Sequence, residues 1–328
     1  MGKIAFLLHS GKNRKFPYYF RNYLRYLWPA AFCRRALPSL LAEMASRSDA
    51  AYIRQRIDYY NRLVPGARCS DTPRRVGDFR LRGASRRRCK SVYFFDVYEY
   101  LRYFPSSFRW EYCPGDVIHV PPFPSIVKSR PLTDDNACSV VMKIDKVRHF
   151  IFVRDKIPFE QKQDKLLFRG KVAGKACRET FMRLFYGHPM CDAGDVGRGG
   201  NLPPEWHRPK MTIGEQLRYK FILALEGNDV ASNLKWIMSS GSVAVMPRPT
   251  CETWFMEGTL VPGEHYIEIK PDFSDLEEQL RYYMAHPEEV KRIIANAHRY
   301  VDAFRDRRRE ELISIGVLYK YFVATRQI

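Results

Sequence analysis

The chain has 328 residues, 45% of them hydrophobic, and a formal net charge of +19 at pH 7. That length accommodates two domains, each with its own core. No apolar run reaches the ~18 residues of a bilayer-spanning helix; the nearest stretch, 23–41, is broken by Arg25, Arg34, Arg35 and Pro38.

Lys3 leads straight into an apolar run, KIAFLL, read as a first strand. This start lacks the charged-then-apolar layout of a secretory signal, and Gly2 is not followed by the Ser or Thr of a myristoylation pattern. A basic loop follows, and 16–44 is aromatic and basic with helical spacing. A short helix is expected over 53–63. Residues 66–90, rich in Arg, Gly, Ser and Pro, have no periodicity and read as an exposed loop. Up to Lys90 there are 21 Lys or Arg against 5 Asp or Glu, so +16 of the net charge sits in the first quarter. An anionic partner on that side is implied: nucleic acid, an anionic membrane surface or a phosphorylated glycolipid. A basic face kept for solubility is the plainer alternative.

Strands are expected at 91–95, 116–120, 139–144 and 149–153, the second ended by Pro121-Pro122. Strands alternating with short helices indicate an α/β fold. The join is placed near 155–165, giving domains 1–160 and 161–328. Beyond it, 166–170 reads as strand and turn, 178–186 as an amphipathic helix, 194–209 as a Gly/Pro-rich loop and 212–219 as a short helix. The clearest unit runs from 219 to 246: an apolar strand at 221–225, a turn at Glu226-Gly227-Asn228-Asp229, a helix over 231–239 and a second apolar strand at 242–246. This is a βαβ unit, the building block of a parallel sheet. A strand at 266–269 follows. Ser274 to Glu277 reads as a capping box opening a helix. The next helix, from Pro287 to about 305, has apolar residues at 290, 293, 294, 297, 301 and 304, and a last helix covers 310–323. Eight scattered cysteines without a CxxC pair lack zinc and redox spacings and suit a reduced compartment.

Three features of the second half point to phosphate chemistry. Arg169, Gly170 and Lys171 stand at a strand end, with Arg178 at the start of the next helix. Gly227 to Ala231 opens a helix whose N–H groups suit a diphosphate, with Lys235 one turn in. The loop after 242–246 carries Glu252, suited to a sugar or ribose hydroxyl, and the aromatics Trp254 and Phe255. Taken singly, each has a structural alternative; together they indicate a nucleotide-binding domain. No GxxxxGK[ST] is present, so P-loop ATP hydrolysis is not expected, and no HExxH or paired-His set suggests a metal site.

FRG (168–170), RYKFILALEGNDVASNLKW (218–236), SSGSVAVMP (239–247), ETWFMEGTLVPGEHYIEIK (252–270) and FSDLEEQL (273–280) resemble glycosyltransferase family 90. The likeness is strongest to its bacterial lipopolysaccharide core-modifying branch, which also carries blocks like YFFDVYEYLRYFP (93–105) and IVKSRPL (126–132). The family also holds protein O-glucosyltransferases and capsule xylosyltransferases. The resemblance implies a GT-B architecture: two Rossmann-like domains facing across a cleft, the nucleotide sugar mostly on the C-terminal one, with C-terminal helices packing back. It implies transfer of a hexose from a UDP-sugar to a hydroxyl of the lipopolysaccharide core or a related glycan, inverting and metal-independent, with no cofactor.

On that mapping Arg169, Gly170, Lys171 and Arg178 surround the diphosphate, Ala231, Ser232 and Asn233 offer N–H groups, and Lys235 a charge. Asn233 stands where eukaryotic members carry Arg. The family's base, an Asp following an Arg, has no counterpart in Val127-Lys128-Ser129-Arg130-Pro131. Asp134 and Asp135 lie just beyond and are the candidates; a solvated Asp-Asp-Asn turn is the alternative. The expected location is cytoplasmic, with peripheral contact to an anionic membrane through the basic first quarter. The competing readings are a non-catalytic RNA-binding protein using the Arg-rich segment 74–90 and an inactive protein of transferase fold.

Overall fold

The computed structural model describes residues 10–81 and 90–328; the strand expected at 3–8 lies outside the described residues. Two compact units are present. The first, helical unit comprises among the described residues 14–81, 90–147, 250–258 and 304–328. The second, a parallel-sheet unit, comprises among the described residues 10–13, 148–249 and 259–303.

In the helical unit, helices Lys15–Leu27, Ala30–Ser46, Ala50–Tyr60, Ser91–Leu101 and Arg307–Ala324 accompany a four-stranded sheet. Its strands are β1 (Arg74–Arg75), β2 (Arg109–Tyr112), β3 (Ser125–Val127) and β5 (Ser139–Val141), in the order β1-β2-β3-β5. A separate antiparallel pair joins β4 (Ser129–Pro131) to β10 (Cys251–Thr253). Glu310 is the polar centre of this unit. Its carboxylate, 4% exposed, takes Arg56 at 3.0 Å, Lys143 at 2.8 Å and the Trp254 indole N–H at 2.6 Å, while Tyr60 stacks on Trp254 at 3.9 Å. A buried carboxylate is tolerable only when its lone pairs are met this way. The helix Lys15–Leu27 is tied down by Tyr18, whose hydroxyl donates to Asp96 at 2.7 Å, yet Phe16, Phe20, Leu24 and Leu27 remain exposed. Their spacing of four, four and three residues puts them on one face.

The second unit has one all-parallel sheet of β6 (Gln163–Gly170), β7 (Cys191–Asp195), β8 (Tyr219–Leu223), β9 (Val243–Met246) and β11 (Ile267–Glu268), in the order β11-β9-β8-β6-β7. Leu166, Phe221 and Val245 are fully buried, as parallel strands covered on both faces require. Phe181 and Phe185 of helix Ala176–Phe185 and Ile293 of helix Pro287–Asp302 pack into the same core. The α/β class expected from the sequence is therefore present. Among the described residues no helix is long and apolar enough to cross a membrane.

Several local expectations are corrected. Residues 91–95 are not a strand but the start of helix Ser91–Leu101. That helix is buried on nearly all sides, so its apolar run shows no 3.6-residue period. Residues 116–120 form no strand; the Ser129 hydroxyl bonds both the N–H and the C=O of Val117 at 3.0 Å, replacing a strand partner. At 149–153 there is a helical turn, Lys146–His149, and then irregular chain. The helical stretch 16–44 breaks at Trp28-Pro29 into two helices. Ser274 builds no capping box. Its hydroxyl donates to Asp272 at 2.9 Å, Glu277 binds Arg281, and the helix starts at Leu276. A capping box does form at Thr212 and Glu215.

Candidate active site

In an open parallel sheet, ligands bind beyond the carboxyl ends of the strands, at the point where connections leave in opposite directions. Here the chain runs from β6 outward to β7, then back past β6 to β8. The switch point therefore lies between β6, which ends in Arg169 and Gly170, and β8, which continues into Leu225, Glu226 and Gly227.

Arg178, in the first turn of helix Ala176–Phe185, spans that gap. Its guanidinium donates to three main-chain carbonyls: Lys171 at 2.9 Å, Glu226 at 3.1 Å and Leu225 at 2.7 Å. Both flanking glycines make room for it. A Cβ on Gly227 would lie 3.2 Å from Arg178 Nη2, and one on Gly170 would lie 2.8 Å from the Phe168 ring and 3.5 Å from Nη1. No carboxylate pairs with Arg178 among the described residues, and burial lowers its pKa from the ordinary guanidinium value. A cation fixed by neutral dipoles, its charge uncompensated, is prepared for an anion. Lys171 is exposed beside it, and Lys175 donates to the Asn228 side chain. Arg178, Gly170, Gly227 and Lys171 are thus brought together as the sequence suggested.

Arg169 is differently engaged. Its side chain binds the Asp192 carboxylate at 2.6 Å, the Asp192 carbonyl at 2.8 Å and the Phe168 carbonyl at 3.0 Å, while Tyr219 donates to the other Asp192 oxygen at 2.5 Å. Asp192 and Tyr219 are site neighbours that sequence reasoning missed. The run Cys191-Asp192-Ala193-Gly194-Asp195 looks like loop, although it is β7, because two carboxylates and a glycine mask an alternation only two apolar residues long.

The turn after β8 also departs from expectation. The helix begins at Leu234, not Ala231, and has only five residues, all buried. Ala231, Ser232 and Asn233 belong to the turn before it, and Asn233 Nδ2 donates to the Leu223 carbonyl at 3.0 Å, tying the turn to the end of β8. Lys235 is fully buried, its Nζ 5.7 Å from the centre of the Phe150 ring.

Glu252 lies in β10 of the helical unit, not on the edge of the parallel sheet. Its carboxylate is fully buried, bound by Arg130 Nε at 2.7 Å and by the Tyr59 hydroxyl. Asp134 and Asp135 are exposed in the same unit, in a bend between β4 and β5. Neighbouring Asn136 is anchored by Arg62 at 2.9 Å and by the Pro131 carbonyl at 3.1 Å.

The model of Glycosyl transferase family 90 matches residues 140–308, a span that contains every strand of the parallel sheet, Arg178 and both glycines. The chain belongs to glycosyltransferase family 90. It is 39% identical over 310 residues to O-glucosyltransferase LpsA of Dichelobacter nodosus, covering 94% of this chain and 95% of that protein. It is 26% identical over 136 residues to Protein O-glucosyltransferase 3 of Rattus norvegicus, which covers 40% of this chain and 26% of that protein. Uncharacterized protein 179R of Invertebrate iridescent virus 6 is 30% identical over 104 residues, covering 30% of this chain and 9% of that protein. As a family 90 member the protein is a glycosyltransferase, which replaces the reading of a non-catalytic RNA-binding protein. Asp134 and Asp135 fall just outside the span of the family match.

Proposed function

We propose that this family 90 glycosyltransferase moves a hexose from a UDP-sugar to a hydroxyl of a lipopolysaccharide core or related glycan, with inversion at the anomeric carbon and no metal. The observation that carries the donor assignment is Arg178, half-buried at the sheet's switch point and without a carboxylate partner among the described residues. A nucleoside diphosphate is the anion we assign to it, with Lys171 and Lys175 nearby. The finer fold in this proposal is GT-B, with donor binding on residues 161–328 and acceptor binding on 1–160.

In the reaction, an aspartate takes the proton of the acceptor hydroxyl as its oxygen attacks the anomeric carbon. The bond to the β-phosphate oxygen breaks on the opposite side, and UDP leaves with the electron pair. Cations near the diphosphate offset the charge that develops there. Asp135 is assigned as the base, with Asp134 beside it; both are solvent-accessible, and neither has a hydrogen bond or ion pair among the described residues.

The test is transfer across a panel of UDP-sugars with wild type, Asp134→Ala and Asp135→Ala. Loss of a general base lowers kcat by roughly 10²–10⁴, and Asp135→Ala is expected in that range with the melting temperature unchanged. A panel in which no UDP-sugar is consumed defeats the donor assignment; full activity in both aspartate variants defeats the base.

Location on the cytoplasmic side, peripheral to an anionic membrane, is part of the same proposal. Its support is the helix Lys15–Leu27, with Phe16 and Leu27 81% and 75% exposed beside Lys15 and Arg21. An amphipathic basic helix lies in the interface of anionic lipid. Sedimentation with anionic vesicles should weaken as salt is raised; equal recovery with neutral vesicles at high salt counts against it.

A further inference from the structure

The helical unit holds a cavity of about 920 Å³, bounded by helices Lys15–Leu27, Ser91–Leu101 and Arg307–Ala324. This lies in the size range of ligand sites, roughly 300–1,000 Å³. Its carboxylates are all engaged: Glu99 by Arg25 at 2.8 Å and Lys146 at 2.5 Å, Glu310 by Arg56 and Lys143, and Glu311 by Arg308 at 2.8 Å. Three arginines that line the cavity, Arg21 on the first of those helices, Arg102 just past the second and Arg307 at the start of the third, form no ion pair among the described residues, although Arg21 lies within electrostatic reach of Glu99. Arg21 and Arg307 are exposed and form no ion pair or hydrogen bond among the described residues. Arg102 is 3% exposed; it donates to the carbonyls of Arg25 and, at 2.8 Å, Trp28, and its buried Nε has no partner. Burying a guanidinium without a counter-charge is costly, so the cavity as built calls for an anion. Tyr18, Trp28, Tyr100 and Tyr103 supply aromatic surface on the same walls, suited to the C–H face of a sugar ring.

We propose that this cavity binds the acceptor, through a phosphate- or carboxylate-bearing sugar held by Arg21, Arg102 and Arg307. The proposal rests on the reading of the acceptor as an anionic glycan and specifies where its charge is recognised. It also accounts for the apolar face of helix Lys15–Leu27: Leu24 on that face and Trp28 just past the helix end line the cavity and are 55% and 58% exposed. A glycolipid offers both chemistries in one molecule, an anionic sugar for the cavity and an apolar anchor for the helix.

Titration of the full-length protein with a hexose 1-phosphate and with the neutral hexose, followed by calorimetry, tests the site without any transfer reaction. Wild type should bind the phosphorylated sugar and not the neutral one. Each charge-assisted hydrogen bond removed costs about tenfold or more in affinity, so Arg21→Gln/Arg307→Gln should weaken binding about a hundredfold. Both positions are exposed, so the fold is preserved, and UDP binding by the double variant should be unchanged. Arg178→Ala should keep hexose phosphate binding, which separates this cavity from the donor site. Equal binding by wild type and the double variant, or by charged and neutral sugar, overturns the proposal, as does the absence of sugar phosphate binding in a protein that binds UDP. A protein that binds hexose phosphate through Arg21 and Arg307 but turns over no UDP-sugar defeats the donor assignment and leaves the cavity standing.

Discussion

Arg178→Ala is expected to lower kcat/KM for the UDP-sugar by roughly 10²–10³, the loss typical of one preorganised donor at a developing negative charge. The guanidinium is positioned before any ligand arrives, because three carbonyls from the two sides of the switch point hold it. It therefore needs little reorganisation when a diphosphate binds. Arg178→Lys should recover little of the loss, since an ammonium is a point charge without the planar fork needed to meet carbonyls on both β6 and β8 sides. Calorimetric titration with UDP alone should show weaker binding in both variants. Arg169→Ala behaves differently: it strands Asp192, so its main effect falls on stability, with KM for the donor changing less than in Arg178→Ala. UDP affinity that survives Arg178→Ala undiminished removes the donor site from this crevice.

Glu252→Ala should destabilise the helical unit by about 3–5 kcal/mol, the usual cost of leaving one member of a buried ion pair alone. Arg130 and Glu252 are both fully buried. Arg130 also donates to the Tyr59 carbonyl at 2.8 Å and the Ser139 carbonyl at 3.3 Å, so its charge cannot escape to water when the carboxylate is removed. At about 2–4 °C per kcal/mol for a domain of this size, the melting transition should fall by roughly 6–20 °C. The double variant Arg130→Met/Glu252→Met should melt closer to wild type, because two well-packed apolar side chains replace a pair that was costly to desolvate. The donor KM of the folded Glu252→Ala fraction should be unaltered. An unchanged melting temperature with a raised donor KM would instead return Glu252 to the role of a sugar or ribose ligand.

Strands β6, β8 and β9 of the parallel sheet are legible in the sequence because they carry short uninterrupted apolar runs, and because a βαβ connection leaves a recognisable turn at Glu226 to Asp229, whereas β7 is masked by its carboxylates and glycine. Helix Pro287–Asp302 is equally plain, since one buried face repeats every three or four residues. What stays hidden depends on distant partners. Nothing near Glu252 announces that its carboxylate meets Arg130 and Tyr59, more than a hundred residues away, so a free ligand role is the natural reading of a Glu in an aromatic loop. Helix Ser91–Leu101 carries Val, Tyr and Phe buried all round, and a run of that kind has strand and helix readings of equal standing. Arg178 is visible as a cation near a glycine; that three main-chain carbonyls and no carboxylate of the described residues hold it is a property of the folded crevice alone. The cavity beside Arg102 is assembled from helices near both ends of the chain, and no local window contains it.

The helical unit is discontinuous, and this bears on how the protein is made. Helix Arg307–Ala324 packs against Ala50–Tyr60, Ser91–Leu101 and Ala30–Ser46, and β4 waits for β10. During synthesis the first helices leave the ribosome long before residues 250–258 and 304–328 exist. The Glu310 cluster, with Arg56 and Lys143 already exposed on the nascent chain, cannot close until then. The parallel-sheet unit is interrupted only by 250–258 between β9 and β11, and all its strands have emerged by residue 268, before helix Arg307–Ala324 is made. The basic first quarter therefore spends most of translation without its core, in a form open to chaperones and to anionic surfaces.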